Sequence, residues 1–265
     1  MAMAEIGAPA AASRSAVYRF ALRWGSPIFV LLIVLAWQAA TTLWQIPIYI
    51  LPKPTDLVTG FVRNAGMLSR GWGITVLEAS AGFIIGNVVS IAVAFLVTWS
   101  PTARAGIMPL ALAIKSVPMV AITPLITLMV GFGHSTVVTV AAVVCFFPTL
   151  VNVSRGLKAA PRSQVELFRI VDANPWQLFW KLRLPYALPY LFTALRITAP
   201  AAIGGTMLAE YVASNAGLGY LIQDSYTQFR FVLVWQVVIV ATLTTLAAYL
   251  TVAHFERKLL ARHRK

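Results

Sequence analysis

The chain has 265 residues, of which 59% are hydrophobic and only 11% charged, and its formal net charge is +13. Soluble domains average about a quarter charged residues, so most of this chain cannot face water. The single cysteine, Cys145, excludes a disulfide framework or a thiolate metal cluster, and the three histidines (His134, His254 and His263) are too scattered to form a metal-ligand spacing.

A membrane-spanning helix needs ~20 mostly apolar residues, and six stretches qualify. Ahead of the first, Val17 to Trp24 mixes aromatic and basic residues, which suits either a short helix lying in the membrane interface or a plain basic anchor. The first span covers about Ser26 to Trp44. Its basic flank and the following Ala39-Ala40 resemble a secretory signal, but the apolar run is longer than a signal core, which favours an uncleaved span. The second span is free of charge between Glu78 and Arg104.

The third begins near Gly106 and the fourth ends near Ser154. They share one charge-free run, broken at Gly131-Phe-Gly-His-Ser135, a polar turn that ends helices. The third span is dense in proline, at Pro109, Pro118 and Pro124. Each proline removes a backbone donor and kinks its helix, and freed carbonyls are tolerated only against protein or a water-filled cavity. Pro118 to Pro124 is therefore the expected pore lining, with Ser116, Thr123 and Thr127 as polar contacts; the competing reading is a kink that serves packing alone. Lys115 in the same span either meets an anionic substrate, or snorkels to the interface or forms a structural salt bridge.

The fifth span runs from about Pro185 to Ala209 and carries Arg196, which calls for either an acidic partner within the chain or an ATPase surface. Its Ala199-Pro-Ala-Ala-Ile-Gly-Gly205 stretch is small enough for close helix approach. Glu210 ends it, either as a gate or subunit contact or as a helix-end residue in water. The sixth span covers Phe231 to Phe255.

Lys and Arg mark the cytoplasmic side of a membrane chain. With the N-terminus inside, that side holds Arg14, Arg19, Arg23, Arg104, six cations between Arg155 and Arg183, and Arg257, Lys258, Arg262, Arg264 and Lys265. Only Lys53, Arg63, Arg70 and Arg230 fall outside. This split predicts both termini in the cytoplasm and explains the positive charge without a nucleic-acid partner.

The longest polar stretch, 155–184, is the feature that a generic bundle lacks. Residues 162–172 repeat apolar side chains at helical spacing after Pro161, a favoured helix-start residue. Asp172-Ala-Asn-Pro175 reads as a turn. Trp176, Phe179, Trp180 and Leu184 then form a second helical stripe. Two short amphipathic helices with two Trp and two Phe require a groove or a membrane surface.

This stretch resembles the cytoplasmic loop of ABC importer permeases, whose pattern is Glu-Ala-Ala, three residues, Gly, nine residues, then Ile-x-Leu-Pro. Glu166 takes the Glu position, Asp172 the Gly position, and Leu182, Leu184 and Pro185 the closing element; Leu167 and Phe168 replace the two alanines. Where the family's Gly permits a left-handed turn, Asp tolerates that geometry less readily. Leu51-Pro-Lys-Pro-Thr55, Lys115 to Pro124, Phe146-Phe-Pro148, Leu184 to Pro189 and Gly217 to Ile222 resemble, in order and spacing, the branch that handles nitrate, sulfonate, taurine and pyrimidine precursors. The likeness covers about residues 50–260.

The resemblance implies an all-α membrane protein with about six spans, the type I importer permease fold, forming a single permease domain over residues 1–265 in the inner membrane. It implies ATPase coupling through Glu166, Asp172, Ala173, Asn174, Pro175, Trp176, Leu184 and Pro185; the candidate pore residues, from the reading of membrane-depth positions above, are Lys115, Ser116, Pro118, Thr123, Thr127 and Glu210. The implied partners are two ATPase subunits, a second permease copy or paralogue with the identical copy favoured, and a periplasmic or lipid-anchored binding protein. No Gly-x-x-x-x-Gly-Lys-Ser/Thr loop is present, so ATP and magnesium belong to the partner and this chain is expected to bind no cofactor and to be no enzyme. A secondary carrier is the main rival, but the chain has no second half resembling the first. A membrane enzyme lacks a His/Glu/Asp cluster within a span, and a scaffold would not need proline-bent helices.

Overall fold

The computed structural model describes the backbone of residues 10–263 and the side chains from residue 27 to 259. Every regular element among them is helical: α1 (Ala10–Leu43), α2 (Pro54–Trp99), α3 (Pro101–Ser116), α4 (Met119–Val130), α5 (His134–Gly156), α6 (Arg162–Ile170), α7 (Pro175–Leu178), a π-helical turn (Phe179–Arg183), α8 (Leu184–Ala213), α9 (Leu218–Thr227) and α10 (Phe231–His263). Proline opens α2, α3 and α7. There it forfeits only a donor that a first helical turn leaves unused. Ser100 caps α3 by accepting the Ala103 N–H at 3.1 Å. The side chains of Val17 to Trp24, the candidate interfacial segment, lie outside the described residues.

Among the described residues four helical segments are long and apolar enough to cross a membrane: α2, α5, the continuous run Pro175–Ala213, and α10. The expected third span is not straight. α3 and α4 meet at 109° across Val117-Pro118 and amount to one broken span or a re-entrant loop. The physical cause is local: Val117 is extended, as a residue preceding proline prefers, and Pro118 cannot continue the donor pattern of α3. The apolar part of α1, Pro27–Leu43, is shorter than the other spans. The second span is longer than its charge-free core: α2 has 46 residues, about 69 Å, against a hydrocarbon core of ~30 Å.

The chain divides at Arg63 into two compact units. In the first, the Gln38 side chain of α1 accepts the Thr55 N–H at 3.3 Å, which ties down the Leu51-Pro-Lys-Pro-Thr55 segment. Phe29 to Leu32 of α1 are each more than half exposed, a surface suited to lipid rather than water. In the second unit, α5 and α8 form the most extensive pair, and α2, α3 and α10 pack around them. Its core joins Ala94 and Val97 of α2, Ala111 of α3, Leu150 and Val153 of α5, Leu157 just past the end of α5, Phe179 and Ala187. A buried polar link crosses it: Asn87 Oδ1 accepts the Thr149 hydroxyl at 2.6 Å and the Thr198 hydroxyl at 3.4 Å. Arg196 finds its acid within the bundle, donating to Glu256 on α10 at 3.0 Å and to the Tyr249 hydroxyl.

α2 and α5 approach so closely at Gly86 that a side chain is excluded at that point. A Cβ on Gly86 would overlap the Ala142 carbonyl oxygen and stand 2.9 Å from its Cα. Small residues drive helix association in lipid by permitting such approach. Gly86→Ala is therefore expected to destabilise the chain by about 1–3 kcal/mol, the usual cost of overpacking, and to lower its melting temperature in detergent. An unchanged melt would mean that α2 can retreat freely from α5.

Candidate functional site

Three groups of residues stand out, all in the unit from Asn64 onward. The first is the loop between α5 and α8. α6 and α7 form as the amphipathic pattern predicts, and the turn between them places Asp172 at φ +52°. Asp172 thus adopts the left-handed conformation that glycine adopts without strain, a conformation Asp visits at modest cost. Asn174 and Gln177 build a capping box around the start of α7. Asn174 Oδ1 accepts the Gln177 N–H at 2.8 Å, and Gln177 Oε1 accepts the Asn174 N–H at 3.1 Å.

The aromatic stripe divides on folding. Phe179 is buried, edge-on to Phe95 at 5.2 Å and packed on Trp99 at 5.2 Å, and Leu182 is buried with it. Trp176 and Trp180 remain 63% and 50% exposed, and Leu167, Ile170 and Val171 of the same loop are exposed as well. The loop therefore has an anchor and an open apolar face. Leu184 is half-buried against the core, Pro185 exposed and Ala173 half-buried. Glu166 lines a recess of about 480 Å³ with Lys158, Arg162, Arg169 and Arg183, and among the described residues it pairs with none of them. The anchoring role of Phe179 was hidden in the sequence, where it has the same helical phase as its exposed neighbours.

The second group is a buried polar cluster. Glu210 is fully buried, so it is no helix-end residue in water. Its carboxylate accepts the Thr75 hydroxyl at 2.6 Å and the Gly219 N–H at 2.6 Å, while Thr75 Oγ1 accepts the Leu218 N–H at 2.8 Å. One carboxylate thus fastens α2 and the α9 N-terminus to α8. Glu78 faces it from α2, bonded through one oxygen to His134 Nδ1 and with its other oxygen buried and unpartnered. Glu78 and His134 escaped the sequence reading because they lie 56 positions apart and belong to no local pattern.

The third group is a cavity of about 1180 Å³ lined by α3, α5 and α8, with Arg104, Lys115, Asn152, Ser154, Arg155 and Lys158 as its polar side chains. Lys115 sits over the Phe147 ring, 4.6 Å from its centroid. The other expected pore residues do not gather here. The Ser116 hydroxyl donates to the Leu112 carbonyl at 2.9 Å, and Pro118 occupies the bend. Thr123 is buried; its hydroxyl and that of Thr127 donate to the carbonyls four residues back. Glu210 belongs to the separate cluster.

A family model described as "Binding-protein-dependent transport system inner membrane component" matches residues 86–261. The riboflavin transport system permease protein RibX of Chloroflexus aurantiacus is 31% identical over 237 residues, 89% of this chain and 88% of its own. The formylaminopyrimidine transport permease protein ThiX of Halalkalibacterium halodurans is 30% identical over 203 residues, 76% and 81% of the two chains. Among solved structures, a chain of the inward-facing MetNI methionine ABC transporter superposes with a TM-score of 0.64 at 20% identity, covering 74% of this chain and 97% of that one. That likeness shows the type I importer permease fold.

Proposed function

This chain belongs to the family of binding-protein-dependent transport system inner membrane components, and from that premise we propose that it is the pore-forming permease subunit of an ATP-driven importer. It sits in the inner membrane with both termini in the cytoplasm. A binding protein outside delivers a small solute, of the sulfonate, nitrate, taurine or pyrimidine type. Two ATPase subunits supply the energy, and a second permease, preferably an identical copy, completes the pore. The chain itself binds no ATP and catalyses no reaction. The whole of residues 1–265 acts as one permease domain.

The observation that carries the reading is the loop over 155–184. It presents Trp176, Trp180 and Ile170 outward while Phe179 and Leu182 fix it to the bundle. An apolar helix face of this kind is made to be covered by a partner's groove. In this reading Glu166, Asp172, Ala173, Asn174, Pro175, Trp176, Leu184 and Pro185 form the coupling element. Closure of the ATPase dimer moves the loops together and switches the pore between its two faces.

The test is to extract the tagged full-length chain from its native membrane in mild detergent and identify what accompanies it. An ATPase with a phosphate-binding loop, in equal stoichiometry and crosslinking to a probe at Trp176, is the expected result. A chain that purifies alone and supports uptake without any ATPase would be a secondary carrier.

A further inference from the structure

The cavity between α3, α5 and α8 has the wall of a lipid site. Most of that wall is apolar, with Met108 and Leu112 from α3, Phe147 and Val151 from α5 and Ile197 from α8. Leu112 and Ile197 are 56% and 50% exposed, so the apolar lining continues to the outside of the bundle instead of closing over. Three cations stand where helices end. Arg104 lies in the first turn of α3, Arg155 in the last turn of α5, and Lys158 just beyond it. Lys115 adds a fourth charge over the Phe147 ring, which lies about 12 Å along α5 from Arg155.

Among the described residues no acid lines the cavity, and none of the four cations forms an ion pair with a carboxylate. Cations at span ends are the ordinary mark of the cytoplasmic side, but that rule does not gather four of them into one cleft. Clustered like charges raise one another's free energy until an anion joins them. An identical permease copy has little to offer here. Of the described acids, Glu78 is bonded to His134, Glu210 to Thr75 and Gly219, Asp224 to Arg230 and Glu256 to Arg196. Asp56 opens α2, at the opposite end of that helix from α3. Glu166 and Asp172 of the loop remain, two acids against four cations. The occupant must bring its own negative charge, and an apolar body to cover the rest of the wall.

We propose that this cavity binds an anionic phospholipid of the cytoplasmic leaflet. The phosphate sits among Arg104, Arg155 and Lys158, and an acyl chain runs along Met108, Leu112 and Ile197. Basic pockets between membrane helices on the cytoplasmic side suit such headgroups, and arginine forks match paired phosphate oxygens. The volume of about 1180 Å³ exceeds the usual range for small-ligand sites, ~300–1,000 Å³, and accommodates a headgroup with the first part of a chain. A lipid held there bridges the start of α3 to the end of α5, and so braces the helix that leads into the coupling loop. The leaflet rests on the proposed orientation of the chain; the site itself does not.

The experiment uses the full-length chain with the partners that accompany it, stripped of lipid in mild detergent. Dioleoylphosphatidylglycerol, dioleoylphosphatidylcholine and sn-glycerol 3-phosphate are titrated separately. The melting temperature and the lipid retained in native mass spectra are the readouts. Phosphatidylglycerol is expected to be retained and to raise the melt saturably, well above the response to phosphatidylcholine, and the chainless glycerol phosphate to do nothing. Arg155→Gln combined with Lys158→Gln should weaken phosphatidylglycerol binding at least about tenfold, since cations near a membrane surface each add to the hold on an anionic lipid. Without lipid the same variant should melt at or slightly above the parent temperature, because charges that repel one another are gone. Leu112→Asn keeps every cation and should bind several-fold more weakly, through the lost chain contact. Lys258→Gln, outside the cavity, should bind as the parent does.

Equal responses to the two phospholipids, or undiminished binding by the cavity variants, would overturn the proposal. So would a saturable response to glycerol phosphate that Leu112→Asn leaves intact: the cavity would then hold a soluble anion. ATPase content is scored on the same preparation. A preparation that carries the ATPase and shows no preference for phosphatidylglycerol removes this inference and leaves the importer reading standing. One that retains phosphatidylglycerol but carries no ATPase keeps the site and removes the importer reading.

Discussion

Glu166→Lys is expected to abolish uptake while the chain still inserts and folds. Glu166 is exposed at the edge of the loop and pairs with nothing among the described residues, so its loss costs the bundle little; exposed charges away from special contacts usually change stability by less than about 0.5 kcal/mol. Its electrostatic effect is larger. Among the described residues it is the only acid lining a recess that also holds Lys158, Arg162, Arg169 and Arg183. Reversal makes that recess uniformly cationic, and if the proposed partner reads the Glu166 carboxylate with a cationic group, the like-charge juxtaposition costs several kcal/mol. A docking weakened by only about 1.4 kcal/mol already loses tenfold in affinity. Radiolabelled solute uptake by whole cells, normalised to the amount of inserted chain, is the measurement. Normal uptake would mean that this loop does not dock an energising partner. Phe179→Ala gives the contrasting lesion: it empties a core position and should fail in folding as well as in transport, by about 3–5 kcal/mol.

The second large effect is expected at Glu210. Glu210→Leu removes the acceptor for both the Thr75 hydroxyl and the Gly219 N–H. The hydroxyl can turn elsewhere, but the buried amide cannot, and each orphaned donor costs about 1–3 kcal/mol. Removing the carboxylate also removes a neighbour of Glu78, which offsets part of the loss; Glu78 already has His134 as a partner, so the offset is the smaller term. A net destabilisation of about 2–4 kcal/mol follows. Glu210→Gln, which keeps the shape and one acceptor oxygen, should lose about half as much. Gly219→Ala approaches the same contact from the other side, since its Cβ would overlap the Met207 carbonyl oxygen and stand 2.8 Å from the Glu210 Cβ. Thermal melts of the three variants in one detergent decide the matter. A Glu210→Leu chain that melts with the parent would show that the contact contributes nothing to holding α8 and α9 together.

What could be read from the sequence was what local chemistry dictates. The break between α4 and α5 falls at Gly131 to His134 because glycines with positive φ stand there. α7 begins at Pro175 because Asn174 caps it. The proline kink in the third span was legible, but its angle was not: a proline frees the chain to bend, and the packing of Met119 and Ile126 against Val137, Val140 and Ala209 shows where α4 rests. The full length of α2 was obscured by Asp56, Arg63, Arg70 and Glu78, which interrupt its hydrophobic pattern without interrupting its hydrogen bonds. The Thr75–Glu210 bond joins residues 135 positions apart. No periodicity reports such a pair, because only the fold brings the two helices together. The cavity cations were each visible as charges near span ends, but their convergence required α3 to lie along α5.

The π-helical turn leads into α8 with no intervening loop, so Trp176 at one end and Glu210 at the other belong to a single strut of roughly 50 Å. Mechanically this is a lever with its load and its catch at opposite ends. Under the proposed coupling, a push on the aromatic face would meet no loop before α8, and the carboxylate that clasps α9 stands at the far end of the same helical run. The softest points along the strut are the π turn itself and the interior prolines, Pro189 and Pro200. Those three places are where a helical run otherwise free of breaks could bend.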